Sequence, residues 1–169
     1  MINAELENII NEQINKELYS EYLYLAMKLY FEELNLQGFV NWFDVQVQEE
    51  HAHAVGFMNY LSERGGSVKL MAIDKPEVNG KTPLEVFKQV LEHEEYVTSL
   101  INGVADVAEK VKDRAALSFI DWYIKEQVEE ESNVSGVIKT LELIGDDKKA
   151  LLMFDKDLAA RVFNAPVIG

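Results

Sequence analysis

Cysteine is absent from this 169-residue chain, which excludes a disulfide scaffold, a thiolate metal site and a thiol nucleophile. Proline occurs only at Pro76, Pro83 and Pro166, so nothing in the first 75 residues breaks a helix in that way. Basic residues are also scarce: 16 Lys and Arg stand against 30 Asp and Glu, for a formal net charge of −14. Such a chain repels nucleic-acid phosphates and anionic membrane surfaces and gathers cations, so neither nucleic acid nor membrane is expected as a partner. No stretch approaches the ~18 apolar residues that span a bilayer. The start, Met1-Ile2-Asn3-Ala4-Glu5, lacks the basic segment and apolar run of a signal peptide. A cytoplasmic location is therefore the expectation, and any metal chemistry must use Glu, Asp, His or Tyr.

Hydrophobic residues make up 48% of the chain, enough for one domain with a sizeable core. Turn and cap signals divide residues 1–169 into five helical segments within that single domain. The first, α1, is expected over about 4–34, followed by a turn at Asn35–Gly38. The second, α2, is expected over 39–64, where Gly65-Gly66 stops it. An extended crossover over 67–81 leads to Thr82-Pro83-Leu84-Glu85, an N-cap with Pro at the first helical position, which opens α3 at 83–112. Asp113 caps α4 at 114–144, ended by Gly145, and a short amphipathic α5 at 147–163 carries Leu151, Phe154 and Leu158. From Asn164 onward a loose tail is expected. Four helices each about 40 Å long, joined by two short turns and one long crossover, describe an all-α, antiparallel four-helix bundle with a short fifth helix.

The apolar stripes repeat at three- and four-residue spacing, yet all four turn polar at mid-helix. On α1 the stripe runs Leu6, Ile10, Gln13, Glu17, Ser20, Tyr24, Met27, Phe31, Leu34. On α2 it runs Phe39, Phe43, Gln46, Glu50, His53, Phe57, Tyr60. Glu94 interrupts the stripe on α3, and Gln127 and Glu130 interrupt that on α4. In an antiparallel bundle the midpoints share one level, so Glu17, Glu50, His53, Glu94, Gln127 and Glu130 converge. Four carboxylates within a core are costly unless cations neutralise them. Oxygen ligands with an imidazole suit Fe, Mn or similar divalent ions, and four carboxylates can neutralise two of them. A water-filled polar layer that sets helix register is the alternative.

Di-iron carboxylate bundles take one Glu from each of two helices and Glu-x-x-His from each of the others. Glu17, Glu94 and Glu50-x-x-His53 follow that pattern, whereas α4 departs from it with Gln127-x-x-Glu130. Losing one imidazole makes the two metal positions unequal and the second ion easier to release.

These residues resemble the bacterial non-haem ferritins over about residues 4–160: NEQINKELYSEYLYL at 11–25, QEEHAH at 48–53, LEHEEYV at 91–97 and WYIKEQVEEE at 122–131. The resemblance implies that Glu17, Glu50 and His53 hold one iron, that Glu50, Glu94 and Glu130 hold a second, and that Gln127 lies beside them. It implies a third iron position at Glu49, Glu126, Glu129 and Glu130; without it, Glu49, Glu126 and Glu129 read as an exposed acidic face. It further implies ferroxidase activity, in which O2 or H2O2 oxidises Fe(II), and a ferric mineral stored inside a homo-oligomeric shell of 24 chains. Haem-binding relatives carry a haem-ligating Met directly after the α2 metal Glu; this chain has His51 there, so no haem is expected and His51 reads as a surface or interface residue. Tyr24, seven residues after Glu17, reads as a hydrogen-bond or one-electron donor to the site, or else as a core tyrosine. Met27 and Met58 read as core filling, and Glu131 as a solvated residue. A soluble di-iron oxidase or peroxidase without mineral storage is the competing function.

Overall fold

A computed structural model describes residues 2–168, and among these all regular structure is helical. The helices are α1 (Ala4–Glu33), α2 (Gln37–Glu63), α3 (Pro83–Lys110), α4 (Arg114–Ile144) and α5 (Lys148–Leu158). Short side chains open most of them by accepting orphan N–H groups. Asn3 accepts from Glu5, Thr82 from Glu85, Asp113 from Ala116, and Asp147 from Lys149 and Ala150. Gly145, at φ 54°, takes the left-handed turn that ends α4.

Pairings between the four long helices run in opposite directions and make these neighbours antiparallel. Lys28 meets Asp44 while Glu17 faces His53 across α1 and α2. Gln46 meets Glu130 while Arg64 meets Asp113 across α2 and α4. Lys110 meets Glu5 while Tyr24 meets Glu94 across α3 and α1. The crossover is tied down as it travels the bundle. The buried side chain of Asn11 donates to Ser67 O and accepts from Lys69 N, Asn15 donates to Ala72 O, and Gln89 brackets Glu77 and Asn79.

The core is split in two. One apolar cluster centres on Phe31, Phe39, Phe43 and Phe87, the other on Leu6, Ile10, Phe57 and Ile101. Between them lie the mid-helix polar residues, so the interruption seen in the four stripes is a physical layer.

Helix ends otherwise fall within two residues of expectation, and three departures involve α5 or the segment after it. First, α2 begins at Gln37, two residues before the expected start, although Leu36 at its N-cap has no side-chain oxygen to offer. The cap comes from elsewhere: Asp155 Oδ1 accepts from Gly38 N at 2.8 Å and Phe39 N at 3.0 Å. A Cβ at Gly38 would sit 1.4 Å from the Asp155 carbonyl oxygen, so only glycine lets α5 approach. Second, α5 stops at Leu158 rather than 163, because the Asn41 amide captures the carbonyls of Leu158, Ala159 and Arg161 and turns the chain. Third, the segment beyond it is not loose: Arg161 packs on Trp42, and Ile168 packs on the second apolar cluster near Gly56. Leu34, expected on the core stripe, is exposed just past the end of α1.

Replacing Asp155 with Ala removes the only side-chain cap seen on α2. Unfolding in guanidinium should show a loss of about 1–2 kcal/mol, the usual upper range for a helix cap. An unchanged midpoint would show that the contact carries no stability.

Candidate metal centre

The polar layer is sealed. Glu17, Glu50, His53, Glu94, Gln127 and Glu130 are each at most 5% exposed. Glu17, Glu50 and His53 form the one trio of acidic or imidazole side chains among the described residues whose donor atoms all lie within 4.8 Å of one another. Nδ1 of His53 stands 3.6 Å from Glu50 Oε2 and 4.0 Å from Glu17 Oε2. These separations are too long for hydrogen bonds, yet two donors about 2.0–2.2 Å from a shared ion can take them. The opposite nitrogen, Nε2, is buried without a hydrogen-bond partner. His53 Nδ1, buried between two carboxylates yet hydrogen-bonded to neither, fits a shared cation better than a self-satisfied core. Its ring is held edge-on to Trp122, and Tyr123 Oη donates to the His53 carbonyl at 2.9 Å.

Three of the four carboxylates of the layer, Glu17, Glu94 and Glu130, have a neutral partner that fixes them. Gln13 Nε2 donates to Glu17 Oε1 at 2.7 Å, and Gln46 Nε2 to Glu130 Oε2 at 3.1 Å. Tyr24 Oη donates to Glu94 Oε1, and Gln127 Nε2 to Glu94 Oε2 at 3.1 Å. Tyr24 is therefore a hydrogen-bond donor to a carboxylate of the layer. Gln127 leans on Thr98, whose hydroxyl donates to Glu131 at 2.5 Å. Glu131 thus departs from the solvated residue expected: it is half-buried and ends a polar chain running outward from Glu94.

Burial, reinforced by mutual repulsion, pushes the carboxyl groups up. Glu94 rises to about 7 and Glu130 to about 8, each chiefly through desolvation. Glu50 is raised well above the usual range by burial, then by Glu94, Glu17 and Glu130. Tyr24 is driven further into its neutral, donating form by burial and by Glu94.

Glu49, Glu126 and Glu129 do not join the trio. Glu49 and Glu126 are half-buried, and Glu129 is exposed. Glu49 is engaged by Arg161, whose Nη2 lies 2.6 Å from its Oε2. His51 points away from the layer, largely exposed, and meets Glu21 at 3.1 Å. Met27 is fully buried and Met58 half-buried against the second cluster.

Arg161, Gln13 and Gln46 are the functional neighbours that sequence reasoning left without a role. The two glutamines lay on the correct stripes, one helical turn from a Glu. Arg161 had no local signal, since it sits in an irregular segment more than a hundred positions from its partners.

An antiparallel four-helix bundle with this buried carboxylate and imidazole layer defines the class of ferritin-like proteins. Known proteins agree. The Ferritin-like domain family model matches residues 7–144. A bacterial non-heme ferritin of Bacteroides fragilis is 40% identical over 161 residues, spanning 95% of this chain and 100% of that protein. One from Staphylococcus aureus is 36% identical over 164 residues, spanning 97% and 99%. Among solved structures, an open pore ferritin from the hyperthermophilic archaeon Archaeoglobus fulgidus superimposes with a TM-score of 0.94 at 45% identity, covering 96% of this chain and 100% of that one. An engineered closed form of the same archaeal ferritin gives 0.95 at 44%, covering 97% and 100%. The chain belongs to the ferritin family.

The raised carboxyl groups have a measurable sign. In the metal-free protein at pH 7, Glu130 is mostly protonated and Glu94 about half so, and a divalent ion must displace these protons. Calorimetric titration with Zn(II) in buffers of different ionisation enthalpy should show proton release at pH 7 that shrinks as pH rises through about 7 to about 8. The native state binds protons that the unfolded chain has already lost, so metal-free stability should also fall over that rise. Release that is absent at pH 7 or independent of pH would contradict the assignment.

Proposed function

We propose that this protein stores iron by acting as a ferroxidase, with Fe(II) as substrate and O2 or H2O2 as oxidant. The observation that carries this reading is the sealed Glu17, Glu50 and His53 trio, in which His53 Nδ1 faces both carboxylates beyond hydrogen-bonding distance. In this reading Glu17, Glu50 and His53 take one Fe(II), while Glu50, Glu94 and Glu130 take a second, with Gln127 alongside. Glu49, Glu126, Glu129 and Glu130 make a third position toward the surface.

Two Fe(II) each give up one electron. The pair reduces one O2, with two protons, to H2O2, or one H2O2, with two protons, to two waters. The protons displaced from Glu94 and Glu130 are local sources for that reduction. Tyr24, kept neutral by burial, donates the hydrogen bond that orients Glu94. With Gln127 where a second imidazole would stand, the second position binds its ion less firmly. This asymmetry favours turnover and mineral storage over a di-iron oxidase that retains its metals.

We further propose a homo-oligomeric shell of 24 chains that encloses the mineral. Tyr22, Leu25 and Leu29 form an exposed stripe along α1, and Leu70, Met71 and Ile73 expose another apolar stretch on the crossover. Such surface suits burial against further copies of the chain. No helix among the described residues is long and apolar enough to cross a membrane.

Glu50→Ala or His53→Ala should slow initial Fe(II) oxidation by about 100-fold or more, beyond the ~10–100-fold typical of losing a group that only supports a ligand. Particle size should be unchanged; unchanged stopped-flow rates would refute the site. Separately, Leu25→Arg with Leu29→Arg should break the assembly into smaller species in the ultracentrifuge while helical content persists, since each buried leucine supplies about 1.5–3 kcal/mol. A full-sized particle from that variant would place the interface elsewhere.

A further inference from the structure

The C-terminal segment delivers a positive charge to the edge of the carboxylate layer. After α5 ends, the Arg161 guanidinium lies over the Trp42 ring, 4.6 Å from its centroid, and Nη1 donates to the Trp42 carbonyl at 3.3 Å. Its other amine, Nη2, donates at once to Glu49 Oε2, 2.6 Å away, and to Gln46 Oε1. Stacking and the fork of donors make this a fixed guanidinium rather than a loose surface charge.

Both acceptors lead to the same place. Glu49 precedes Glu50 on α2. With its oxygen taken by Arg161, Gln46 can turn only its amine toward Glu130, and it does so at 3.1 Å. Arg161 therefore neutralises one acid and, through Gln46, orients another. These are two of the four acids assigned above to the third iron position. The two helical positions that complete that set, Glu126 and Glu129, are not drawn into it.

We propose that Arg161 is a tethered counter-cation that holds the outer, third ion position closed until a metal ion displaces it. This rests on the metal-centre reading of the previous section. An ion moving outward from Glu130 competes with the guanidinium for Glu49. When the ion wins, the Arg161 anchor is lost and the segment that follows α5 is freed. Ion occupancy at the edge of the layer and docking of the C-terminal segment are thereby coupled, each opposing the other by the same factor. Arg161 acts as a positioning residue and does not touch the inner pair of ions.

The test uses Zn(II), which is redox-inert, titrated calorimetrically into the assembled, metal-free full chain. Arg161→Gln should tighten the outermost Zn(II) equivalent by about tenfold or more while leaving the inner ones unchanged, since it removes a competing charge. Arg161→Lys keeps the charge but loses the fork of donors and should fall between wild type and Arg161→Gln. Asp155→Ala loosens α5 but leaves the Arg161 guanidinium to compete for Glu49, so through that coupling it should tighten the outermost equivalent by less than Arg161→Gln does and leave the inner ones unchanged. Hydrogen exchange in wild type offers a second measurement: amides of residues 159–168 should exchange faster only as the outermost equivalent binds. Identical isotherms for Arg161→Gln and wild type would overturn the proposal. So would Asp155→Ala reproducing the Arg161→Gln effect in full, or exchange that ignores the outer equivalent. If wild type bound no Zn(II) in the inner layer, the metal-centre reading itself would fall; inner binding without any Arg161 effect would refute this inference alone.

Discussion

Four carboxylates held between two apolar clusters are the constraint around which this molecule is built. Water is excluded on both sides by rings and aliphatic chains, so each negative charge lies in a medium that resists it and beside others of the same sign. Protons relieve part of that repulsion, as the raised Glu50, Glu94 and Glu130 show. Cations relieve it more completely. A cation bound in the layer would stabilise a bundle made this way and would displace those protons.

The layer also explains where hydrogen bonds have been placed. Gln13, Tyr24, Gln46 and Gln127 each present a donor to a carboxylate oxygen and leave other oxygens facing inward. These donors are neutral, so they fix geometry without cancelling charge that a metal would need. Among the described residues, the Lys or Arg that pairs with an acid of this region is Arg161, which stands at the rim on Glu49. Charge is thus graded outward from a centre left to metal toward an edge supplied by the protein.

Much of this was legible in the chain before folding, and more in some elements than others. The stripe on α3 from Phe87 to Ala108 is buried as its spacing required, and Glu94 falls within it. Mid-level placement of Glu17, Glu50, His53 and Glu130 followed from helix length and antiparallel packing alone. The errors lie at helix ends and beyond them. Leu34 fitted the periodicity but projects past the last turn of α1, where no neighbour covers it. The start of α2 was misplaced because its cap, Asp155, comes from another helix, and the end of α5 because Asn41 captures its carbonyls. Glu131 looked solvated because its partner, Thr98, lies across a helix pair.

Local sequence determined the helices, their polar midpoints and the chemical type of the centre, because 3.6-residue periodicity is a property of each segment by itself and charge must be neutralised wherever it is buried. Tertiary structure alone decided which donors hold which carboxylate oxygens, where α2 is capped, and that the chain beyond α5 returns to place Arg161 on Glu49. The α2 cap and the Arg161 contact join residues more than a hundred positions apart, and no local pattern encodes a pairing that exists only when the whole bundle has closed.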